Sequence, residues 1–446
     1  MVCFGRRTIT GLLAANGNLF NDWSADYRLF EKKRFCVETL FKPAREYVMS
    51  QLTDNQALTV FMDDTKIKKK GKKVYGTSWN RDPLGPPFQT NFIWGQRFIQ
   101  LALALPQENL QASMARAIPI GFHHAPPLRK PNKAASHEEW NKWKKESKKH
   151  RLTVIGSHKI RMLRNQMDAS GQKHRKLIVV VDGGFTNATT IKSLPYRTTL
   201  IGRIRKDAKI FDPPKEAITG QQGRKKYYGD QKPTPEQLRQ DHNIPWTSVK
   251  AFAAGKIHDF DIKVVNNIRW KGAGDHRLRL LVVRPLAYRL TKKSRLLYRD
   301  PAYIICTDSD LSPEQVMQNF VWRWEIELNF RDEKTLMGVG EAQARTKEAS
   351  SLIPPFIVAA YSYLQIACHK TYGFSEPKKF VKPKWQLNKT ERRLTTQKMI
   401  GLFRANLWGK EMGVSNFSDF MTKTSSFMKS ILLGNSLFSA VFYGVK

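Results

Sequence analysis

Runs of hydrophobic residues alternate along the chain with stretches of helical spacing, a pattern typical of an α/β protein. The clearest run is LIVVV at residues 177–181, and LTVFM at 58–62 and FIQLALAL at 98–105 are similar. An uninterrupted apolar run of this length predicts a strand that is buried on both faces of a sheet. Weaker strand signals follow at residues 74–79, 199–204, 260–265, 278–283 and 303–306.

Helices are predicted between these strands and at both ends of the chain, at residues 8–15, 30–52, 137–164 and 352–369. A further long helix has the best-marked start. Ser312 is its expected N-cap, Pro313 occupies the first helical position, and Gln315 stands at the capping-box site.

The alternation of strands and helices divides the chain into regions. Residues 206–300 lose it and are rich in Pro, Gly, Lys and short β-like runs, which indicates a β-rich insertion. The other predicted regions are a helical N-terminal region at 1–56, the two parts of one core at 57–205 and 301–375, and a basic, helical C-terminal region at 376–446 with a basic connector at 378–393.

The sign of the charge changes this picture. The 446 residues include 76 Lys and Arg against 38 Asp and Glu, so the formal net charge is +38. Such an excess destabilises a compact chain by self-repulsion unless a polyanion neutralises it. A hydrophobic content of 41% excludes a wholly disordered basic tail. Nucleic acid is therefore the expected partner.

Other classes of protein are disfavoured by simple counts. The four cysteines are scattered and lack the spacing of a zinc site or a disulfide scaffold. The N-terminus lacks the features of a signal peptide, and the most apolar stretches are shorter than the ~18 residues of a membrane span. We expect an intracellular protein that does not span a membrane.

Three acidic residues stand at informative positions. Asp63 follows LTVFM, Asp182 follows LIVVV, and Glu327 lies inside the long helix. Strand-end acids lie at a sheet edge, where α/β proteins place ligand sites, and three converging carboxylates suit Mg²⁺. Each acid has an ordinary alternative, because an Asp after a strand commonly starts a turn and a helical Glu is commonly solvated. Asp64 is the alternative to Asp63.

The helix around Glu327 gathers its charges. At about 100° per residue, Arg323, Glu327, Arg331 and Lys334 share one stripe. Trp322, Ile326, Phe330 and Met337 form an adjoining apolar stripe that would anchor the helix. An ordinary i,i+4 ion pair between Arg323 and Glu327 is the alternative explanation.

The spacing of Phe320, Arg323, Glu327 and Lys334 resembles the Y-(2)-R-(3)-E-(6)-K signature of bacterial insertion-sequence transposases of the DDE type. The D-x-T that begins at Asp63 and the sequence VVVDGGF at 179–185 are similar to the first two acidic motifs of that family. The resemblance implies an α/β fold: a ribonuclease-H-like mixed sheet flanked by helices, with a β-rich insertion between the second and third acidic motifs and helical N- and C-terminal regions.

The family also implies an activity. Asp63, Asp182 and Glu327 would hold Mg²⁺, with Mn²⁺ as a substitute, and Arg323 and Lys334 would contact phosphates. The enzyme would cut and rejoin double-stranded DNA at the terminal inverted repeats of a mobile element and at its target. It would act as a homodimer on DNA, in the bacterial cytoplasm with the nucleoid. Phe320 departs from the family's usual Tyr, so the phosphate contact of that hydroxyl is lost.

Further DNA contacts are predicted from basic and aromatic residues. The run at 66–73 holds six lysines in eight residues, and its ordinary alternative is a solvated hairpin tip. Trp246 and Trp270 lie in the insertion, where an aromatic of the family stacks on a flipped base; buried packing is the alternative for both. The predicted set is Lys68, Lys69, Lys70, Lys72, Lys73, Arg203, Arg205, Arg331, Trp246 and Trp270.

Two regions carry less specific predictions. The N-terminal segment at 7–15 is a candidate helix-turn-helix for binding DNA ends, against an ordinary pair of small helices. The C-terminal region is a candidate for dimerisation or DNA contact. Two alternative functions stay open: a non-catalytic or repurposed DNA-binding protein derived from a transposase, and a ribonuclease-H-like nuclease without strand transfer.

Overall fold

A computed structural model describes most of the chain: residues 1, 3–15, 22–82, 85–86, 88–107, 112–214, 226–291, 293–375, 384 and 393–411. Its helices are α1 (Ile9–Ala15), α2 (Ser24–Glu31), α3 (Val37–Leu40), α4 (Lys42–Ser50), α5 (His137–Lys149), α6 (Leu152–Ala169), α7 (Ala188–Lys192), α8 (Pro235–Gln240), α9 (Pro313–Trp322), α10 (Trp324–Thr335), α11 (Lys347–Tyr372) and α12 (Thr396–Glu411). Its strands are β1 (Leu58–Lys68), β2 (Thr77–Arg81), β3 (Phe92–Pro106), β4 (Ala115–His124), β5 (Leu177–Val181), β6 (Thr198–Arg203), β7 (Ile210–Phe211), β8 (Thr247–Ala253), β9 (Lys256–Trp270), β10 (Leu278–Val283), β11 (Ala287–Tyr288), β12 (Leu297–Tyr298) and β13 (Ala302–Cys306).

One mixed sheet organises the described part of the chain. Its central strands run in the order β4-β3-β1-β5-β6. The pairs β3–β4 and β1–β3 are antiparallel, whereas β1, β5 and β6 are parallel. This arrangement is the ribonuclease-H-like fold that the sequence predicted, so that prediction is confirmed.

The strands of the predicted insertion extend this same sheet. They attach through β13, a strand of the second core part (301–375) that pairs antiparallel with β6; β10 and β9 follow in order. β8 and β7 complete this side of the sheet by pairing with β9, while β11 and β12 form a separate hairpin. The insertion therefore shares a hydrogen-bonded sheet with the core.

Both faces of the sheet are covered by helices because its strands are apolar on both sides. Val60, Met62, Val179 and Val181 pack into a core with α4, α6 and α7. The alternating residues, represented by Phe61, pack into a second core with α9 and α10. Alternate residues of β1 and β5 point to opposite faces of the sheet, so whether a residue number is odd or even (its parity) sets which group of helices its side chain contacts.

β1 is longer than its apolar run predicts. Its parallel pairing with β5 ends where Met62 lies beside Val181, but its antiparallel pairing with β3 continues to Lys68. The expectation that Asp63 follows the end of a strand was wrong in this respect. Asp63 lies inside β1, beside the point where the parallel neighbour stops.

Three predicted helices are divided in the structure. The span predicted at 30–52 contains the end of α2, all of α3 and all of α4. The helix expected over 137–164 breaks before α6, where Arg151 adopts extended backbone angles (φ −69°, ψ 137°). The helix that begins after Ser312 changes its hydrogen-bond pattern at Arg323, whose amide donates to the Phe320 carbonyl. The Arg323 carbonyl in turn accepts from the Ile326 amide, a local tightening to i→i−3 bonds.

The C-terminal part of the core is a long helix that packs inside the protein. α11 is long and apolar enough to cross a membrane by length and composition, but most of that apolar window is buried in the protein. It packs against β4 and the N-terminal helices. Most of the predicted basic connector at 378–393, and all of residues 412–446, lie outside the described residues.

Candidate active site

The three predicted acids line one cleft. Asp63 and Asp182 lie side by side because the parallel ladder between β1 and β5 ends just before them. Glu327 reaches the same cleft from α10, which packs across β1. The cleft has a volume of about 1600 Å³, large enough for an extended ligand.

The alternation of β1 decides which of the two adjacent aspartates faces α9 and α10. Thr59 donates a hydrogen bond to Asn319 of α9, and Phe61 packs in the core beneath these helices. Asp63 has the same parity, and its carboxylate lies 3.3 Å from Arg323. Asp64 has the opposite parity, and its carboxylate lies 4.0 Å from Lys66. The geometry favours Asp63 as the member of the acidic set.

Asp182 is held by the turn that follows β5. Its Oδ1 accepts hydrogen bonds from the amides of Gly184 (2.9 Å) and Phe185 (3.3 Å). Thr186 donates its hydroxyl to the Asp182 carbonyl and lies against Gly202 of β6, where an added Cβ would come within 2.1 Å of that hydroxyl oxygen. The glycine at 202 therefore lets this turn pack onto the sheet.

Arg323 connects the first and third acids. Its Nη1 lies 3.3 Å from Asp63 Oδ2, and its Nη2 lies 3.1 Å from Glu327 Oε1. The ion pair with Glu327 is the i,i+4 pair that the sequence left as an alternative, and the contact with Asp63 adds a long-range partner. Phe320 lines the cleft nearby, with its ring centre 6.0 Å from the Arg323 guanidinium carbon.

The surroundings of Asp63 disfavour the charge of its carboxylate. Burial raises the pKa of Asp63 to about 7, and the neighbouring charge of Asp182 adds to this rise against the opposing effect of Arg323. Burial also raises the pKa of Asp64, which Lys66 partly offsets. A buried carboxyl with a raised pKa is typical of a functional site, because a cation or a proton is needed to stabilise it.

The chemistry of the donors suits a hard divalent cation. Carboxylate oxygens are the ligands that Mg²⁺ prefers, and the raised pKa of Asp63 marks a carboxylate that such a cation would stabilise. The positions of the three acids, in contrast, are not those of an assembled metal site. Within the part of the chain that the structure describes, no group of three His, Cys, Asp or Glu side chains is assembled as a metal site. The guanidinium of Arg323 stands between Asp63 and Glu327 instead.

The two remaining predicted DNA contacts on α10 lie away from the cleft lining. Lys334 donates a hydrogen bond of 2.6 Å to the Thr65 hydroxyl on β1, and burial lowers the pKa of its ammonium group. Arg331 is exposed and bonds to the carboxylate of Asp332. The structure thus brings Arg323 and Glu327 to the cleft, places Lys334 beside the strand that carries Asp63, and turns Arg331 outward.

The lysine run lies on β1 and the turn after it, outside the cleft lining. Lys68 forms an ion pair with Asp82, at 3.6 Å. Lys69 donates to the carbonyls of Gly340 and Ala342, which gives it a structural role. The exposed lysines among the predicted DNA contacts of this run are Lys68, Lys70, Lys72 and Lys73.

The predicted residues between the second and third acids divide in the same way. Arg203 and Arg205 are exposed and line the cleft. Trp270 also lines it and packs against the core. Trp246 does not: its ring is half-buried against the core, with the Lys263 ammonium 4.6 Å from its centre.

Sequence reasoning missed one wall of the cleft. The hairpin of β11 and β12 contributes Tyr288, Tyr298 and Arg299, and the Arg299 guanidinium lies 5.0 Å from the Tyr288 ring centre. The alternation of Tyr and Arg with apolar residues in AYRLTKKSRLLYRD (287–300) was an available signal. The other cleft residues that the sequence did not single out include Lys206, Arg239 and Tyr303.

Comparison with known proteins adds a family to this geometry. The family described as DDE superfamily endonuclease matches residues 1–259, a span that includes Asp63 and Asp182 and ends before Glu327. No curated protein matches the chain. Because the matched span covers more than half of the 446 residues, the chain belongs to the DDE superfamily of endonucleases, a family of transposase-type nucleases that act on DNA.

Proposed function

We propose that this protein is a transposase that cleaves and joins DNA at the terminal inverted repeats of a mobile element, with Mg²⁺ as its cofactor. The observation that carries the proposal is the convergence of Asp63, Asp182 and Glu327 on one cleft whose walls are basic and aromatic. The two aspartates come from the matched family span, and the glutamate comes from a helix that packs over them.

The proposed cofactor is a divalent metal ion. Endonucleases of this superfamily generally use divalent metal ions. Asp63, Asp182 and Glu327 are the residues that would hold them here. Bound Mg²⁺ supplies a Lewis acid that activates an attacking oxygen and stabilises a leaving oxygen of a phosphodiester.

The guanidinium of Arg323 has two roles in the proposed mechanism. Its guanidinium now neutralises two of the three acids, at 3.3 Å from Asp63 and 3.1 Å from Glu327. If Asp63, Asp182 and Glu327 held a cation, the Arg323 guanidinium would be available to bind the phosphate at the reacting bond, for which its planar set of donors is suited. Arg323 therefore acts as an internal substitute for the cation and as a phosphate ligand.

The chemistry has two steps with one set of acids. Water attacks the phosphorus of a phosphodiester at the transposon end; the bond from phosphorus to the 3′ oxygen breaks and leaves a 3′-hydroxyl and a 5′-phosphate. The freed 3′-hydroxyl then attacks a phosphodiester of the target, where its oxygen replaces another 3′ oxygen. The number of phosphodiester bonds is conserved in the second step, so no energy source is needed.

The walls of the cleft favour DNA over a small substrate. Arg203, Arg205 and Lys206 line one side, Arg239 and Arg299 also face the cleft, and Tyr298 is 64% exposed. Basic side chains bind phosphates, and exposed aromatic rings stack on unpaired bases. This combination of basic and aromatic side chains suits a DNA backbone that passes over the three acids and an unpaired base that stacks on a ring.

A nicking and strand-transfer assay on the element's own ends tests the proposal. We expect Asp182→Ala and Glu327→Ala to abolish cleavage in Mg²⁺ while end binding stays measurable in a gel shift. The matched control is Asp64→Asn, which alters the adjacent aspartate on the opposite face of β1 and should still cleave. Cleavage by the first two variants at the wild-type rate would contradict the proposal.

The same assay distinguishes the alternative functions. A protein that binds DNA without cutting it in Mg²⁺ or Mn²⁺ would be a non-catalytic DNA-binding protein. A protein that nicks its ends but yields no joined product, even with ends already cut to a 3′-hydroxyl, would be a nuclease without strand transfer. Inverted repeats in the DNA that flanks the gene would supply the substrate for all of these tests.

A further inference from the structure

A second cavity lies at the end of α10, and it is basic. It has a volume of about 360 Å³ and is lined by residues from three parts of the chain. These residues are Phe4, Gly5, Arg6, Arg7, Thr335, Glu341 and Arg404. Three guanidinium groups and one carboxylate thus share a small space.

Arg404 is the central residue of this cavity. It is 1% exposed, and its guanidinium lies 4.3 Å from the centre of the Phe4 ring. Its Nε donates to the Met1 carbonyl at 2.9 Å, but its buried Nη1 has no hydrogen-bond partner among the described residues. A buried guanidinium with an unpaired donor is costly to leave unpartnered, because its desolvation is not compensated.

The neighbouring charges increase this cost. Burial lowers the pKa of Arg404, and the nearby charge of Arg7 lowers it further. Arg7 donates two hydrogen bonds to the Glu341 carboxylate, one from its backbone amide (2.7 Å) and one from its Nη1 (3.4 Å). Its Nε is buried without a hydrogen-bond partner in the described part of the chain. One carboxylate therefore offsets only part of the positive charge of three guanidiniums.

We propose that the Arg6–Arg7–Arg404 cavity is a phosphate-binding site, and that a backbone phosphate of bound DNA occupies it. A tetrahedral oxyanion is the chemistry that accepts from several guanidinium donors at once. It would offset the positive charge of Arg6, Arg7 and Arg404 that Glu341 alone does not neutralise. The assignment to DNA rests on the function proposed above, whereas the assignment to phosphate does not.

The position of the cavity connects it with the strand that carries Asp63. Thr335 in its wall follows Lys334, which bonds to Thr65 two residues beyond Asp63. Lys69 is also close, because the charge of Arg6 contributes to lowering its pKa to about 8, after the larger effect of burial. Basic groups therefore continue from the Asp63 strand to the cavity, as a backbone that leaves the cleft would require.

The first test uses inorganic phosphate as the probe on the full chain. Phosphate should raise the thermal midpoint above that in chloride of equal ionic strength. Arg6→Gln and Arg7→Gln should reduce this shift by at least half, and Arg28→Gln, an exposed arginine on α2, should retain it. Glu341→Gln should enlarge the shift, because it removes a competing negative charge. Arg6 is exposed, so its variant should fold even if a change at the buried Arg404 does not. Equal shifts in the Arg6, Arg7 and Arg28 variants would overturn the site.

The second test distinguishes a DNA phosphate from free phosphate. Loss of one phosphate contact should lower duplex affinity about fivefold at 0.15 M salt and reduce the slope of log affinity against log salt by about 1. We expect this of Arg7→Gln and not of Arg28→Gln. A phosphate shift without any change in DNA affinity would overturn the assignment to DNA. Failure of wild-type nicking would overturn the proposed function alone, because neither readout here depends on cleavage.

Discussion

Replacing Asp63 with Asn should stabilise the metal-free protein at neutral and alkaline pH. The carboxyl is 14% exposed, and its pKa is raised from 3.8 to about 7 by burial and by Asp182. Because the folded-state pKa lies above that of the unfolded chain, the folded state binds more protons between about pH 4 and pH 7. The free energy of unfolding therefore falls as the pH rises through that window. Above about pH 7, Asp63 adds no further pH dependence.

The size of the effect follows from the shift. A displacement of about three pH units corresponds to a free energy of about 4 kcal/mol. Asn keeps the shape of the side chain and can accept from Arg323, but it carries no charge to bury. We expect Asp63→Asn and wild type to have equal free energies of unfolding at pH 4, and the variant to be more stable by up to about 4 kcal/mol at pH 8.

Urea denaturation in EDTA at half-unit steps from pH 4 to pH 8 measures this difference. Asp54→Asn is the control, because that carboxylate is 93% exposed and should show no pH-dependent difference. Adding Mg²⁺ should narrow the gap at pH 8, because a bound cation stabilises the charged form of Asp63. A difference between Asp63→Asn and wild type that does not change between pH 4 and pH 8 would refute the reasoning.

Three further predictions concern the surroundings of the site. Gly202→Ala should lower stability by about 1–3 kcal/mol and slow nicking, because its Cβ would meet the Thr186 hydroxyl and shift the turn that holds Asp182; a urea titration and a nicking time course measure both effects. Glu333 is fully buried, which raises its pKa to about 8, so the thermal midpoint of Glu333→Gln should exceed that of wild type by a margin that grows from pH 4.5 to pH 8; a constant margin would contradict this. Arg205→Gln should weaken binding to all DNA sequences alike and reduce the salt slope by about 1, as measured by fluorescence anisotropy at several salt concentrations.

The regular parts of the fold could be predicted because their signals are local. β5 and β10 have the bounds that the sequence indicated. β5 is buried on both faces and is therefore apolar throughout, and β10 departs from this only at the half-buried Arg279. The start of α9 was also predicted. Ser312 accepts from the Gln315 amide and donates its own amide to the Gln315 side chain, as the capping-box spacing requires.

The parts that could not be predicted depend on distant partners. The change of hydrogen bonding at Arg323 leaves the apolar spacing intact, so periodicity could not reveal it, although it helps to set where Arg323 and Glu327 lie. The placement of Tyr298 in the cleft depends on how the hairpin of β11 and β12 folds over the sheet. The identities of the three acids were suggested by their motifs, but the Arg323 contact that joins two of them appears only in three dimensions.

The pairing of β13 with β6 has a consequence for the order in which the protein is made. β6 ends at Arg203, and the strand that covers its outer edge begins only at Ala302. During translation, the backbone amides and carbonyls on the outer edge of β6 therefore stay unpaired until the whole insertion has left the ribosome. Exposed strand edges of this kind pair readily with other chains. A product that terminates inside the insertion would keep Asp63 and Asp182, lack Glu327 and expose the unpaired edge of β6. It should therefore aggregate before it could compete for transposon ends.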